Sequence, residues 1–227
     1  QKNMKQLLIK MLPRFVAMAT LGAVLTASQT SFAADGDVKA GQSKAAMCIG
    51  CHGIVGYQNV FPEVYKVPKI SGQSANYIAS ALNAYKKGDR KHPTMRGMAV
   101  PLSEQDIADL SAFYAASGTL EAAPETPAAA TEVVAALINK GGCVACHGAN
   151  FSKPLDPSYP KLAGQHADYL YAALRSYNTQ GNAVMGRNNA IMSGVTGQYS
   201  NAELKAIAGY LASLKGEMST EPQSRFR

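Results

Sequence analysis

Apolar positions along the chain recur every three or four residues, which is the spacing of one face of an α-helix. One such stripe is formed by Tyr77, Ile78, Ala81, Leu82 and Tyr85. A second stripe repeats it at Tyr169, Leu170, Ala173, Leu174 and Tyr177. Beyond the N-terminal segment, nothing alternates apolar and polar side chains as a half-buried strand does. The pattern therefore predicts an all-α fold in which these stripes are core residues, with contact to a bound group as a secondary role.

Two pairs of capping residues mark the starts of further helices. Ser103 with Asp106 resembles a capping start, and Ser200 with Glu203 is a full capping box. Equivalent apolar side chains follow them, namely Ile107, Leu110 and Tyr114 in the first case and Leu204, Ile207 and Leu211 in the second. Both segments are predicted to be helices that pack against a core.

Long stretches of the chain occur twice. Residues 68–77, PKISGQSANY, match residues 160–169, PKLAGQHADY, at an offset of 92, and other matched anchors are 95 and 97 residues apart. Changing offsets between shared anchors are typical of two related domains that differ by small insertions. Each repeat spans about 85 to 100 residues, which is small for an independent core and favours completion by a buried group.

The repeat defines the predicted domain organisation. We expect one domain at 34–120 and the other at 132–215. Between them, residues 121–131 contain two prolines and a run of alanines, which is typical of a short extended linker. Residues 216–227 are polar and lack periodicity, so this tail is expected to fray.

The first 33 residues have the pattern of a secretory signal peptide. Basic residues precede the apolar stretch 15–25, and Ser31-Phe32-Ala33 forms a small-x-small cleavage site. We expect cleavage after Ala33 and export of the remainder, in which no segment approaches the roughly 18 apolar residues that span a bilayer. If cleavage failed, the uncharged run 15–34 is long enough to act as an anchor.

The net charge of +7 is distributed unevenly along the chain. The signal segment holds four of the 22 Lys and Arg, which leaves 18 against 15 Asp and Glu from Ala34 onward, a balance of +3. The densest basic cluster is Lys86, Lys87, Arg90 and Lys91. Such a cluster is typical of a solvated helix end or of a surface that steers an anionic redox partner. It is too small to predict nucleic acid as a partner.

All four cysteines fall in two C-x-x-C-H motifs, at residues 48–52 and 143–147. This motif is the attachment signature of a c-type haem. Cysteines three positions apart lie on one face of a helical turn, so both thiols can reach the vinyl groups of one porphyrin, and the next His can approach the iron. We therefore predict two covalently bound haem c groups. The predicted attachment residues and first axial ligands are Cys48, Cys51, His52, Cys143, Cys146 and His147.

Other sites use cysteine pairs of the same spacing. Two pairs supply the four thiolates of a zinc site, and one pair suits a thioredoxin-like dithiol in a βαβ unit. Neither site needs the two histidines, and the chain shows no βαβ pattern. Haem is therefore the favoured interpretation.

The repeat singles out one methionine position for the second axial site of each iron. Met95 and Met192 both stand eight residues before the capping serine of the next helix. The other candidates, which lack a counterpart in the opposite half, are His92, His166, Met98 and Met185. A thioether ligand favours ferrous iron and fills the site that a substrate would need. His/Met ligation in both halves therefore predicts outer-sphere electron transfer rather than bond chemistry.

Pro68 and Pro160 stand at equivalent positions downstream of the two motifs. Two interpretations remain open for them. Their carbonyl groups accept the ring proton of the proximal histidine, or the prolines merely end a loop.

In combination, these features make the chain resemble the dihaem cytochrome c4 family over essentially all of the sequence after the signal. The resemblance rests on the tandem motifs, the two Pro-Lys-hydrophobic-small-Gly-Gln segments, and a Met-x-Gly-hydrophobic segment before each Ser-capped helix. It implies two class I cytochrome c folds packed about a pseudo-twofold axis, with the propionate edges of the haems facing one another. It also implies that His52 and Met95 ligate one iron, and that His147 and Met192 ligate the other.

The same resemblance implies a periplasmic electron carrier between a bc1-type complex and terminal oxidases, including the cbb3 type. We expect a monomer, because one chain already contains the two related domains. Membrane contact is expected only through these partners or an uncleaved signal. The alternative is a dihaem subunit of a larger oxidoreductase, such as flavocytochrome c sulfide dehydrogenase. A dihaem peroxidase or thiosulfate dehydrogenase ranks last, because no cysteine or duplicated histidine is left to serve such an iron. In the second half, residues 198–200 (QYS) replace residues 101–103 (PLS), so the loop over the second haem is expected to differ.

Overall fold

A computed structural model describes residues 35–118 and 121–222, and within these ranges the chain forms ten helices and four two-residue strands. The proposed signal peptide, residues 1–33, lies outside them. Among the described residues, no helix combines the length and the apolar character that a membrane span requires. The all-α prediction is confirmed, and the strands form only short ladders beside the helices.

Each half of the described chain contributes five helices. In the first half they are α1 (Val38–Lys44), α2 (Ala46–His52), α3 (Ala75–Lys87), α4 (Pro93–Ala99) and α5 (Glu104–Ala116). In the second half they are α6 (Glu132–Lys140), α7 (Val144–His147), α8 (Ala167–Ser176), α9 (Ala190–Thr196) and α10 (Asn201–Ser213). The matching order of long and short helices reflects the duplication in the sequence.

The four strands form two antiparallel ladders. Within the first half, β1 (Gln58–Asn59) pairs with β2 (Tyr65–Lys66). The other ladder joins the halves, because β3 (Arg90–Lys91) comes from the first and β4 (Gly186–Arg187) from the second. Each of these strands is too short to show the alternation that identifies a strand from sequence.

The two predicted capping boxes are present at the starts of α5 and α10. The Ser103 hydroxyl accepts from the Asp106 N–H while the Asp106 carboxylate accepts from the Ser103 N–H, and Ser200 and Glu203 do the same. Each cap is worth about 1 kcal/mol of helix stability. The boxes fix where the last long helix of each half begins.

These capped helices carry the two cores. In the first half, α1 and α3 pack on α5, and the buried cluster is Ala45, Ile78, Leu110, Phe113 and Tyr114. In the second half, α6 and α8 pack on α10, and the largest aliphatic members of the cluster are Leu137, Ile138, Leu170, Leu204, Ile207, Leu211 and Leu214. Burying each such side chain contributes about 1.5–3 kcal/mol.

A close helix crossing joins the start of the described chain to the first core. Gly41 on α1 allows this approach, since a Cβ at that position would lie 2.0 Å from the Asp109 carbonyl oxygen. The Asp109 carboxylate then accepts from the Asp37 N–H at 2.8 Å and from Lys44 Nζ at 2.6 Å. The ammonium of Lys44 is the main cause that lowers the pKa of Asp109 to about 2.

Reciprocal hydrogen bonds join the two halves. Gln165 accepts from the Lys69 N–H at 3.0 Å and donates to the Lys69 carbonyl at 2.8 Å. Gln73 accepts from the Lys161 N–H at 2.9 Å and donates to the Lys161 carbonyl at 3.0 Å. Both glutamines are buried. Because each contact is mirrored by its repeat counterpart, the interface has the self-complementary form of a twofold contact.

The expectation of a frayed tail is wrong for the described residues 216–222. Met218 is buried, and the Ser219 N–H donates to the Ser71 carbonyl at 3.0 Å. Gly216 makes this path possible, because a Cβ there would lie 1.9 Å from the Ala163 carbonyl oxygen. The polar composition of the tail gave no sign of this docking, which is made by backbone groups, by Met218 and by the Glu217 carboxylate that pairs with Lys161 at 2.7 Å.

We expect Gln165→Ala to lower the free energy of unfolding of the haem-loaded protein by about 1–3 kcal/mol, since it leaves the Lys69 N–H and carbonyl unpaired at the interface. Denaturant titration measures this. The control is Gln198→Ala, which removes an exposed side chain bonded only to the Gly194 carbonyl and should change stability by less than about 0.5 kcal/mol. Equal effects of the two substitutions would contradict the interface assignment.

We expect Asp109→Asn to flatten the acid dependence of stability. A carboxyl group whose pKa is lowered by folding adds stability above its unfolded pKa of about 3.9, and this is lost as the pH falls through the folded value of about 2. Unfolding measured between about pH 4 and about pH 2 should therefore show a smaller loss in the variant than in the parent. A loss in Asp109→Asn as large as in the parent would contradict this account of the Lys44–Asp109 pair.

Candidate functional site

Each C-x-x-C-H motif lies on one short helix. Cys48, Cys51 and His52 all belong to α2, which ends at the histidine. In the second half, Cys143 is the N-cap of α7, and Cys146 and His147 complete it. The structure therefore brings both thiols and the imidazole of each motif together within one or two helical turns.

Both histidines are held by a proline carbonyl. Nδ1 of His52 lies 2.9 Å from the Pro68 carbonyl oxygen, and Nδ1 of His147 lies 3.0 Å from that of Pro160. A carbonyl only accepts, so Nδ1 carries the proton and Nε2 keeps a free lone pair. The hydrogen-bond interpretation of the two prolines is thus confirmed.

Burial lowers the pKa of both histidines below its usual value. Each ring is therefore neutral near pH 7, and a neutral imidazole is the form that binds a metal.

The two paired methionines occupy the same position on equivalent helices. Met95 and Met192 are the third residues of α4 and α9, and both side chains are half-buried. The Met95 N–H donates to Nδ1 of His92 at 3.3 Å, and the Met192 N–H donates to Oδ1 of Asn189 at 2.9 Å. His92 is thus a helix cap equivalent to Asn189, which agrees with the repeat alignment.

The donor sets fit haem better than zinc. Among the described residues, no group of three or more His, Cys, Asp and Glu side chains is placed to hold a metal ion, and the four cysteines are not in disulfides. The thiolates of the two motifs therefore do not converge on one zinc site. Each half instead offers two free thiols, an imidazole with an available Nε2, and a thioether at a matched position.

The loop after the second methionine is anchored in its own way. The Tyr199 hydroxyl donates to the Leu137 carbonyl at 2.8 Å, and Lys140 Nζ lies 4.8 Å from the centre of the Tyr199 ring. In the first half, the Leu102 carbonyl accepts from Lys86 Nζ instead. The expected difference between the two loops is present.

No role was predicted for the repeated glutamines, yet they connect the two sites. Pro68 holds His52, and the adjacent Lys69 is bound by Gln165 of the other half. The pair Pro160-Lys161 joins His147 to Gln73 in the same way. The signal in the sequence was the presence of glutamine in both copies of the repeat.

The predicted solvated basic cluster is wrong for one member. Arg90 is half-buried in the β3–β4 ladder, whereas Lys87 and Lys91 are exposed. Its side chain is drawn inward by tyrosine hydroxyl groups. Arg90 and Arg187 both stand five residues before a paired methionine, so the repeat alignment contained this signal too.

The cytochrome c family matches both halves of the chain, at residues 38–115 and 132–215. Two such domains in tandem, each with its own haem-attachment motif, define a dihaem c-type cytochrome.

Two relatives and one solved structure indicate which family of c-type cytochromes the chain is similar to. Cytochrome c4 from Azotobacter vinelandii is 33% identical over 218 residues, covering 87% of this chain and 98% of that protein. The thiosulfate dehydrogenase electron acceptor from Thiomonas intermedia is 31% identical over 207 residues, covering 88% and 90%. Reduced cytochrome c4 from Pseudomonas stutzeri superimposes with a TM-score of 0.56 at 30% identity, covering 79% of this chain and all of that one.

The chain belongs to the cytochrome c4 family. It is an electron carrier with two covalently bound haem c groups, one in each cytochrome c domain. The folded halves, the two motifs and the proline-held histidines described above agree with this membership.

Proposed function

We propose that this protein carries single electrons between respiratory complexes in the periplasm, from a bc1-type donor towards a terminal oxidase such as the cbb3 type. The observation that supports the proposal is a duplicated arrangement, with a proline-held histidine and a methionine at a matched helix start in each half. Two equivalent one-electron sites suit a relay, and a thioether in the second axial position of each would leave no position at iron for a substrate.

The ligand assignment is part of this proposal. Covalent attachment falls to Cys48, Cys51, Cys143 and Cys146, and the axial ligands are His52 and Met95 in one half and His147 and Met192 in the other. The haem supplies a one-electron couple at its iron. The chain fixes each imidazole through a carbonyl and places each thioether on a capped helix, which limits rearrangement when the charge of the site changes.

The N-terminal segment supports a location in the periplasm. Residues 1–33 have the basic, apolar and small-x-small regions of a signal peptide. Removal of this segment leaves a chain with a balance of +3, which the propionates of two haems bring close to neutral. Partner docking is therefore expected to depend little on long-range charge.

The second candidate is a dedicated acceptor or dihaem subunit of a larger oxidoreductase, with flavocytochrome c sulfide dehydrogenase as one example. The relative from Thiomonas intermedia favours it, because that protein is named as the electron acceptor of a thiosulfate dehydrogenase. The two candidates differ in what supplies the electron and in how tightly that partner is bound.

We expect Met95→Ala and Met192→Ala each to remove about half of the charge-transfer band that ferric haem shows with a thioether ligand, since each removes one of two such ligands. The absorption spectrum of the oxidised protein measures this. Met98→Ala, which truncates a half-buried methionine on the same helix as Met95, should leave the band at full intensity. Retention of the band in either ligand variant would show that the assignment is wrong.

We expect the reduced protein to be oxidised by membranes that contain a cbb3-type oxidase, with oxygen uptake that cyanide stops. Raising the ionic strength from about 20 mM to about 200 mM should change the rate by about twofold or less, because the protein is nearly neutral. Absence of oxidation, together with rapid reduction by a thiosulfate dehydrogenase or stoichiometric co-purification with a flavoprotein, would support the second candidate instead.

A further inference from the structure

Two arginines meet where the halves join. Arg90 and Arg187 are directly paired in the β3–β4 ladder, and both side chains are half-buried. Nε of Arg90 is fully enclosed and has no hydrogen-bond partner. They are repeat counterparts, so the fold places two equivalent cations side by side.

The side chains that form hydrogen bonds with these arginines are neutral. Arg90 donates to the hydroxyls of Tyr77 at 3.1 Å and Tyr169 at 2.6 Å. Arg187 donates to the hydroxyls of Tyr169 at 3.2 Å and Tyr177 at 3.4 Å. Tyrosines from the two predicted core stripes therefore accept hydrogen bonds from the arginines. Hydroxyls satisfy hydrogen bonds without supplying the negative charge that two adjacent cations require.

The nearby carboxylates are occupied elsewhere. Glu63 forms an ion pair with Arg175, and Asp168 accepts from the N–H groups of Lys66 and Tyr169. The Asp89 carboxylate accepts from Asn188. In the described parts of the chain, neither Arg90 nor Arg187 forms an ion pair with an acidic side chain.

The ionisation of Tyr169 reflects the uncompensated charge. Burial opposes ionisation, yet the charges and hydrogen bonds of Arg90 and Arg187 lower the pKa of this hydroxyl to about 8. A cleft lined by Arg90, Arg187 and Tyr169 among others opens beside the same groups. The site thus combines an opening at the surface with two arginines that form no ion pair among the described residues.

The arginine site is also close to a haem-binding residue. Arg90 lies in β3, directly before α4, and His92, whose Nδ1 accepts from the Met95 N–H at 3.3 Å, lines the same cleft as Arg90. Each haem c carries two propionate carboxylates, and a planar guanidinium matches a carboxylate in a two-pronged hydrogen bond.

We propose that Arg90 and Arg187 form one anion site that binds propionate carboxylates of the two haems at the domain boundary. Tyr169, bonded to both arginines, holds their guanidinium groups in place. The arginines act as positioning residues that offset propionate charge, and this favours the ferrous state of the nearby iron. The inference rests on the presence of both haems and is independent of which partner delivers the electron.

Potentiometric titration of the haem-loaded protein tests the proposal. In Arg187→Gln, the reduction equilibrium constant of at least one haem should fall about tenfold or more, which is about 59 mV for a one-electron couple. Lys205→Gln removes an exposed charge from α10 and should leave both potentials unchanged. Unchanged potentials in an Arg187→Gln protein that holds two haems would overturn the proposal. The thioether band should persist in Arg187→Gln, which separates this result from failure of the ligand assignment.

If the Arg187→Gln protein does not fold, Arg187→Lys provides a second test. Arg187→Lys keeps the charge but loses the planar fork, so the propionate carboxylate bands in the redox-induced infrared difference spectrum should shift. Bands identical to those of the parent would contradict the assignment.

A free anion binds guanidinium groups as a propionate carboxylate does, and added inorganic phosphate distinguishes the two sources. If propionates fill the site, phosphate leaves the potentials of the parent unchanged. Potentials that shift with phosphate in the parent and not in Arg187→Gln or Arg187→Lys would show an exchangeable anion site and overturn the proposal.

Discussion

The rest of the molecule depends on one set of hydrogen bonds, in which a glutamine of each domain binds the Pro-Lys pair of the other domain. Pro68 fixes the imidazole of His52, while the adjacent Lys69 is clamped by Gln165 from the other domain. The second pair repeats this arrangement with the domains exchanged. A rotation of one domain against the other would break hydrogen bonds beside both proximal ligands. The two haem sites are therefore positioned by one shared interface rather than by two separate folds.

The C-terminal tail makes contacts with this interface that have no counterpart in the first domain, so the interface is not fully symmetrical. The sulfur of Met218 accepts from Gln73 at 3.2 Å and from Gln165 at 3.8 Å, so one side chain that occurs once serves both copies of the clamp. Glu217 pairs with Lys161 at 2.7 Å, whereas the equivalent Lys69 donates to the Gly164 carbonyl. Buried polar networks of this kind specify one arrangement because every member must find its partner. The asymmetry gives the two haems different surroundings.

Much of this architecture could be predicted from the sequence, because periodicity and duplication are local signals. Helical stripes, both capping boxes and the pairing of Met95 with Met192 follow from spacing alone. The interface could not be predicted in the same way. Gln73 and Gln165 bind backbone groups about 90 residues away, and such contacts leave no periodic trace. The lysines beside Arg90 in the sequence predict a solvated cluster, although its own side chain is turned inward by hydrogen bonds to Tyr77 and Tyr169.

Backbone hydrogen exchange of the haem-loaded protein tests the central claim most directly, because it reports whether the clamp is closed. The amide protons of Lys69 and Lys161 lie in segments without helix or strand, where exchange is normally fast. If the glutamines lock the interface, both amides should be protected to within about tenfold of the buried amides of α5 and α10. Exchange of either amide at the rate of an exposed loop would contradict the account.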